Sequence, residues 1–145
     1  MIENNSRIKI AFIGLGNMGK PMAQNLAKKK YDVRVYDKNK INNNDFKSSN
    51  IYIAESIEEV CKGVDLVITM LPNGDIVKDV LLGDKGVIYN VNKKTTFIDC
   101  STIDYKTTIN IAKQIKKSGS FYLDAPVSGG VSGAINASLT FMIGG

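Results

Sequence analysis

The chain has 145 residues, 43% hydrophobic and 23% charged, which allows one domain with a real core. No apolar run approaches the roughly 20 residues that a membrane-spanning helix needs, so no membrane partner is expected. The net charge of +5 invites nucleic acid, but the lysines are scattered without interleaved aromatics and their dense groups suit helix ends, so no nucleic-acid partner is expected either.

In chain order, MIENNSR carries no apolar signal core and does not resemble an Arg-rich transit peptide. The run over 8–13 predicts a buried strand. Gly14, Gly16 and Gly19 follow in G-x-G-x-x-G spacing, and apolar residues Met22, Ala23, Leu26 and Ala27 then mark one face of a helix over 18–30. Each glycine has its own task in such a turn: Gly14 bends the chain, Gly16 lets backbone approach a pyrophosphate, and Gly19 lets the helix lie close on its strand. Unpaired N–H groups at the helix start then suit phosphates. A second strand over 32–36 ends in Asp37, where a carboxylate accepts hydrogen bonds from a ribose and repels a 2′-phosphate, which favours NAD over NADP. Lys38 and Lys40 beside it offer some accommodation to a phosphate. Gly14 to Lys20 also fits a nucleoside-triphosphatase phosphate loop, but Pro21 stands where a Ser or Thr must hold magnesium.

Residues 38–50 are rich in Asn and Ser and read as a loop with room for a short helical piece. A short strand is expected over 51–53, a helix capped by Ser56 and stopped by Gly63, and a buried strand over 64–70 that ends at Met70. Leu71, Pro72, Asn73 and Gly74 then make either a plain turn into a helix over 75–82 or a loop lying against the adenosine half of a cofactor, because ligands of parallel sheets bind beyond the strands' carboxyl ends. GDKG, 83–86, superficially fits an RNA-binding clamp and reads better as a helix-ending turn. A strand over 96–100 leads to Ser101 and Thr102, which either cap the helix running to Lys117 or face the nicotinamide side. The run 121–127 predicts a sixth strand. Ser128, Gly129 and Gly130 after it form either a small anion nest or a flexible turn into a last strand over 139–143. With no His in the chain and Cys61 far from Cys100, zinc sites of usual spacing and His-based catalysis are excluded within it, and the cysteines read as reduced thiols.

Together these elements predict an α/β fold, a Rossmann-type doubly wound and mostly parallel sheet with helices on both faces, spanning 1–145. Four motifs in order, IAFIGLGNMGKPMAQNL, TMLP, IDCSTID and DAPVSGGVSGA with LTFMIGG, resemble the β-hydroxyacid dehydrogenases, most closely their 3-hydroxyisobutyrate branch. The resemblance covers nearly the whole chain. It implies that Leu15, Asn17 and Met18 line the pyrophosphate turn, Asp37 holds the adenosine ribose, Leu71 and Pro72 flank the cofactor, and Thr102 reaches the nicotinamide side. Ser128, Gly129 and Gly130 would hold the carboxylate of a small hydroxy acid. The family's catalytic Lys and its helical domain have no matching segment here, so this chain alone is expected to be inactive. A homo-oligomeric full-length enzyme of valine catabolism, in the cytoplasm or mitochondrial matrix, is the implied setting. Ala137 and Thr95 stand where relatives often have Gly, and Ala137 would be strained if its φ were positive. Other readings kept open are a related tartronate semialdehyde or glyoxylate-type reductase and a non-catalytic dinucleotide sensor.

Overall fold

The computed structural model describes residues 7–46 and 50–145; the leading MIENNS and residues 47–49 of the predicted loop lie outside the described residues. Five strands follow the apolar runs: β1 (Lys9–Ile13), β2 (Asp32–Tyr36), β3 (Ile51–Ile53), β4 (Leu66–Thr69) and β5 (Thr96–Asp99), with β6 (Phe121–Asp124) at the far edge. All six pair in parallel in the order β3-β2-β1-β4-β5-β6. That is the doubly wound order in which two three-strand halves diverge from a switch point between β1 and β4.

Alternation along β1 builds the two core layers. Ile10 and Phe12 point to one face, where they meet Met22 and Ala23 of α1 (Gly19–Lys28) and Ala134 of α5 (Gly130–Ile135). Ala11 and Ile13 point to the other, against Val60 of α2 (Ile57–Cys61), Val77 and Leu81 of α3 (Gly74–Leu82), and Ile111 and Ile115 of α4 (Tyr105–Lys117). A strand buried on both faces must be apolar throughout, which is why β1 reads as a continuous run rather than as an alternating one. Burying each large side chain of this strand contributes about 1.5–3 kcal/mol.

Three helices, α2, α3 and α4, are capped by the residues just before them. Ser56 accepts from the Glu59 N–H at 3.1 Å and Asn73 from the Ile76 N–H at 3.0 Å. The predicted alternative of Ser101 or Thr102 capping α4 is not met: Asp104 does so, accepting from the Thr107 N–H at 3.1 Å. The strand expected over 121–127 is also divided. Ala125 donates one last ladder bond to the Asp99 carbonyl at 2.8 Å, and Pro126 has no N–H with which to continue it. The chain then leaves the sheet, and β7 (Val127–Ser128) pairs antiparallel with β8 (Thr140–Phe141).

Between β7 and β8 the expected loose turn is the short helix α5. Its Ser- and Gly-rich sequence has poor helix propensity, so tertiary contacts stabilise it. Ala134 is buried against the α1 layer, and the Asn25 side chain of α1 donates to the Ala134 carbonyl at 2.7 Å. Ala137 just beyond has φ 55, the strained conformation anticipated for it, whereas at the other turn Lys94, not Thr95, takes a positive φ of 72.

Candidate functional site

At the switch point the glycine turn is held by backbone at both of its ends. Gly14 donates to the Tyr36 carbonyl at 3.0 Å and has φ 97; a methyl group added to it would lie 2.3 Å from the Met70 carbonyl oxygen. A methyl group on Gly19 would lie 1.9 Å from the Gly14 oxygen, so helix and strand can approach this closely only without a Cβ there. Gly16 has nothing within 4 Å of its Cβ position, leaving its backbone open.

Beyond the turn lies a cleft of about 460 Å³. Gly14, Gly16, Asn17, Met18 and Gly19 form its floor, Asp37 and Lys38 one side, and Met70, Leu71 and Pro72 the other. Ten of the twelve residues predicted for a cofactor thus border one space. Of the other two, Leu15 lines a small polar pocket that adjoins the cleft, while Thr102 is exposed beyond β5 and outside the lining. Ser128, Gly129 and Gly130 are also exposed and outside it, at the junction of β7 and α5. Gly129 and Gly130 have φ 131 and 60.

The Asp37 carboxylate joins the two sides of the turn. Its Oδ2 accepts from the Leu15 N–H at 2.6 Å and its Oδ1 from the Asn39 N–H at 2.8 Å. This fixes a half-buried acid beside the first glycines. The start of α1 completes the arrangement: no side chain caps it, in contrast to α2, α3 and α4, and no acid occupies its first turn, in contrast to α2 and α3. Its free N–H groups and positive dipole end face the glycine turn, a combination suited to an anion. Lys20, in the first turn, pairs with Asp45 at 3.0 Å.

Asn39, Ile76, Asp79 and Val80 also line the cleft and were not singled out in the sequence. Ile76 and Val80 lie four residues apart on α3, a helical spacing that would have placed them on one face. Ser101 was expected to cap a helix or face the cofactor. Instead it is fully buried, and its Oγ accepts from the Leu71 N–H at 2.9 Å.

Burial raises both thiols to about 12; Asp99 adds to the effect at Cys100. Burial and the nearby Asp99 also raise Asp124 and Tyr122. Among the described residues no cluster of His, Cys, Asp and Glu could hold a metal ion, and no helix is long and apolar enough to cross a membrane.

A six-stranded 3-2-1-4-5-6 sheet with a glycine turn, an uncapped helix start and an acid at the tip of β2 defines a dinucleotide-binding Rossmann domain. The family described as the NAD binding domain of 6-phosphogluconate dehydrogenase matches residues 9–145, and the chain belongs to that family, within it to the NAD-binding β-hydroxyacid dehydrogenases. It is 43% identical over 140 residues to mitochondrial 3-hydroxyisobutyrate dehydrogenase of Mus musculus, covering 97% of this chain and 42% of that protein. It is 44% identical over 144 residues to a probable mitochondrial 3-hydroxyisobutyrate dehydrogenase of Dictyostelium discoideum, covering 99% and 45%. The solved structure of Mycobacterium tuberculosis 3-hydroxyisobutyrate dehydrogenase with L-serine superposes with a TM-score of 0.89 at 38% identity, over 96% of this chain and 47% of that one. The chain therefore spans less than half the length of the relatives it matches, which occur both in mitochondria and in bacteria.

Proposed function

We propose that residues 1–145 form the cofactor-binding domain of a 3-hydroxyisobutyrate dehydrogenase that uses NAD. The single observation that carries this reading is the bonding of Asp37 to Leu15, which puts a sugar-reading carboxylate against a phosphate-sized backbone turn. The residues fit the cofactor: Gly16 has a bare backbone, α1 has an uncapped start, and the cleft between them is open. Leu15, Gly16, Asn17 and Met18 would hold the pyrophosphate, with Gly14 and Gly19 shaping the turn. Asp37 would hold the adenosine ribose, with Lys38 at its edge, and Met70, Leu71 and Pro72 would flank the adenosine side. Thr102 would reach the nicotinamide half. When bound, NAD supplies the hydride acceptor, and the protein's share is orientation and electrostatics.

Ser128, Gly129 and Gly130 would hold the carboxylate of 3-hydroxyisobutyrate through one hydroxyl and backbone N–H groups. Their exposure and the left-handed conformations of the two glycines leave those groups free of side-chain cover. The base that takes the hydroxyl proton is assigned to a Lys in the part of the relatives that this chain does not match. By that assignment the 145 residues alone are inactive, and the longer enzyme is a homo-oligomer. The identities of 43% and 44% to 3-hydroxyisobutyrate dehydrogenases support this substrate class over other small hydroxy acids.

The test uses purified residues 1–145. NADH should bind more tightly than NADPH, and 3-hydroxyisobutyrate with NAD should give no appreciable NADH. Equal affinities would refute the cofactor preference, and turnover would refute the assignment of proton transfer to another segment.

A further inference from the structure

Met70 donates to the Ile13 carbonyl of β1 at 3.0 Å, and on the opposite edge of β4 the Thr69 carbonyl accepts from the Cys100 N–H at 2.8 Å, so the Leu71 N–H, two residues after Thr69, faces the side of β5. The backbone ladder between β4 and β5 ends there, and Leu71 N–H does not continue it. It finds Ser101 Oγ instead, at 2.9 Å, supplied by the end of β5. Ser101 is in turn fixed by a buried carboxylate: its own N–H donates to Asp99 Oδ1 at 3.0 Å, and the Thr69 hydroxyl donates to the same oxygen at 2.8 Å. The Tyr122 hydroxyl donates to Asp99 Oδ2 at 3.3 Å. Asp99 is 1% exposed, and a carboxylate so buried is tolerable only when donors surround it.

We propose that Ser101, backed by Asp99, is a positioning residue that holds the Leu71–Pro72 wall of the dinucleotide cleft against the glycine turn; this rests on the reading that the cleft takes NAD. The tight fit at the turn makes the position of the wall consequential. A methyl group on Gly14 would lie 2.9 Å from Leu71 Cδ2 as well as 2.3 Å from the Met70 oxygen, so wall and turn pack without slack. A shift of Leu71 is felt in the turn that grips the diphosphate. The connection runs from β6 through Tyr122 and Asp99 to Ser101, Leu71 and the turn, and it ties the ends of β4, β5 and β6 to the shape of the cleft.

Ser101→Ala leaves Leu71 N–H without its acceptor, and NADH affinity is expected to fall about tenfold. A control, Ile115→Val in the α4 core, should lower Tm and leave NADH affinity unchanged. Should S101A lower Tm yet hold affinity within about twofold of wild type, the hydroxyl is merely structural and the proposal is overturned. Asp99→Asn keeps an oxygen for the Ser101 N–H and Thr69, so its loss of affinity should be smaller than that of S101A; a larger loss would overturn the role given to Asp99. A measurement on the unmutated chain covers the case of a variant that fails to fold: the Leu71 amide should exchange with solvent as slowly as strand amides, and exchange at the rate of an exposed loop would overturn the proposal. Absence of NADH binding to wild type would instead sink the reading of the cleft itself.

Discussion

Two glycine turns, GLGNMG after β1 and SGGVSG after β7, look alike in composition and are built on opposite terms. In the first, Gly14 and Gly19 are buried, and an added Cβ at either would strike a backbone oxygen, at 2.3 and 1.9 Å. In the second, Gly130 has open space around its Cβ position, and at Gly129 the nearest atom is the end of the Leu139 side chain at 3.1 Å. The first turn is a shape enforced by packing, whereas the second is a conformation chosen for φ and left open to solvent. A rigid floor suits a cofactor common to many reactions. Exposed amides suit a ligand whose enclosure these residues do not complete.

The sharpest way to break this contrast is substitution by alanine. Gly19→Ala should cost more than about 3 kcal/mol or prevent folding, since the Gly14 oxygen cannot retreat without moving β1. Gly130→Ala should cost only the left-handed penalty of about 1–2 kcal/mol. Urea unfolding of both variants measures the difference, and equal losses would erase the distinction. Next in size, Asp37→Ala should weaken NADH binding by tenfold or more and narrow the preference over NADPH, because a charged acceptor and the tether of Leu15 are lost together. Calorimetric titration of both nucleotides checks this; an unchanged ratio would remove Asp37 from the recognition of the ribose.

Ala137→Gly probes the second turn in the stabilising direction. Relief of φ 55 should raise stability by up to about 1 kcal/mol, read as a higher Tm. A fall would show that the methyl group contributes packing that outweighs its strain. The smallest effect concerns the cysteines. Their folded-state values near 12 stand above the usual 9.0, so the stability they contribute is fully present below pH 9.0 and is lost as pH rises toward 12. At pH 8 the folded chain should therefore resist alkylation. Cys100 borders the apolar cavity of about 480 Å³ beneath Ala134 and Leu139, so any reaction should start there and reach Cys61 later. The reverse order, followed by mass spectrometry, would mean that the α5 end is the tighter one.

Much of the fold was legible because it obeys local rules. The ranges of β2 and β3 coincide with the expected 32–36 and 51–53, and Ser56 caps α2 as its position before the helix suggested. The grouping of Gly14, Gly16 and Asn17 to Gly19 with Asp37 and Lys38 was also legible, since the fingerprint encodes a strand, a turn and a neighbouring strand tip within one short segment, and Met70 to Pro72 join them from the carboxyl end of β4, where ligands of parallel sheets bind. What escaped depends on contacts distant in sequence. Helix α5 is held by Asn25, more than a hundred residues away, and nothing in SGGVSGA announces a helix. The work of Ser101 depends on β4 and β5 being neighbours, and on the Leu71 N–H facing the β5 edge just past the last bond of their ladder. Two local signals were passed over: Asp104 directly before α4, and Pro126, which marked the point where the sixth strand had to leave the sheet.

Under the proposed function, the open start of α1 and the Asp37 carboxylate grip a dinucleotide together. Titration of NADH into the isotope-labelled chain, followed through backbone amide resonances, addresses it directly. The amides of Leu15 to Gly19, and those of Asp37 and Leu71, should shift together and saturate with one affinity. Shifts confined to other regions, or none at millimolar NADH, would contradict it.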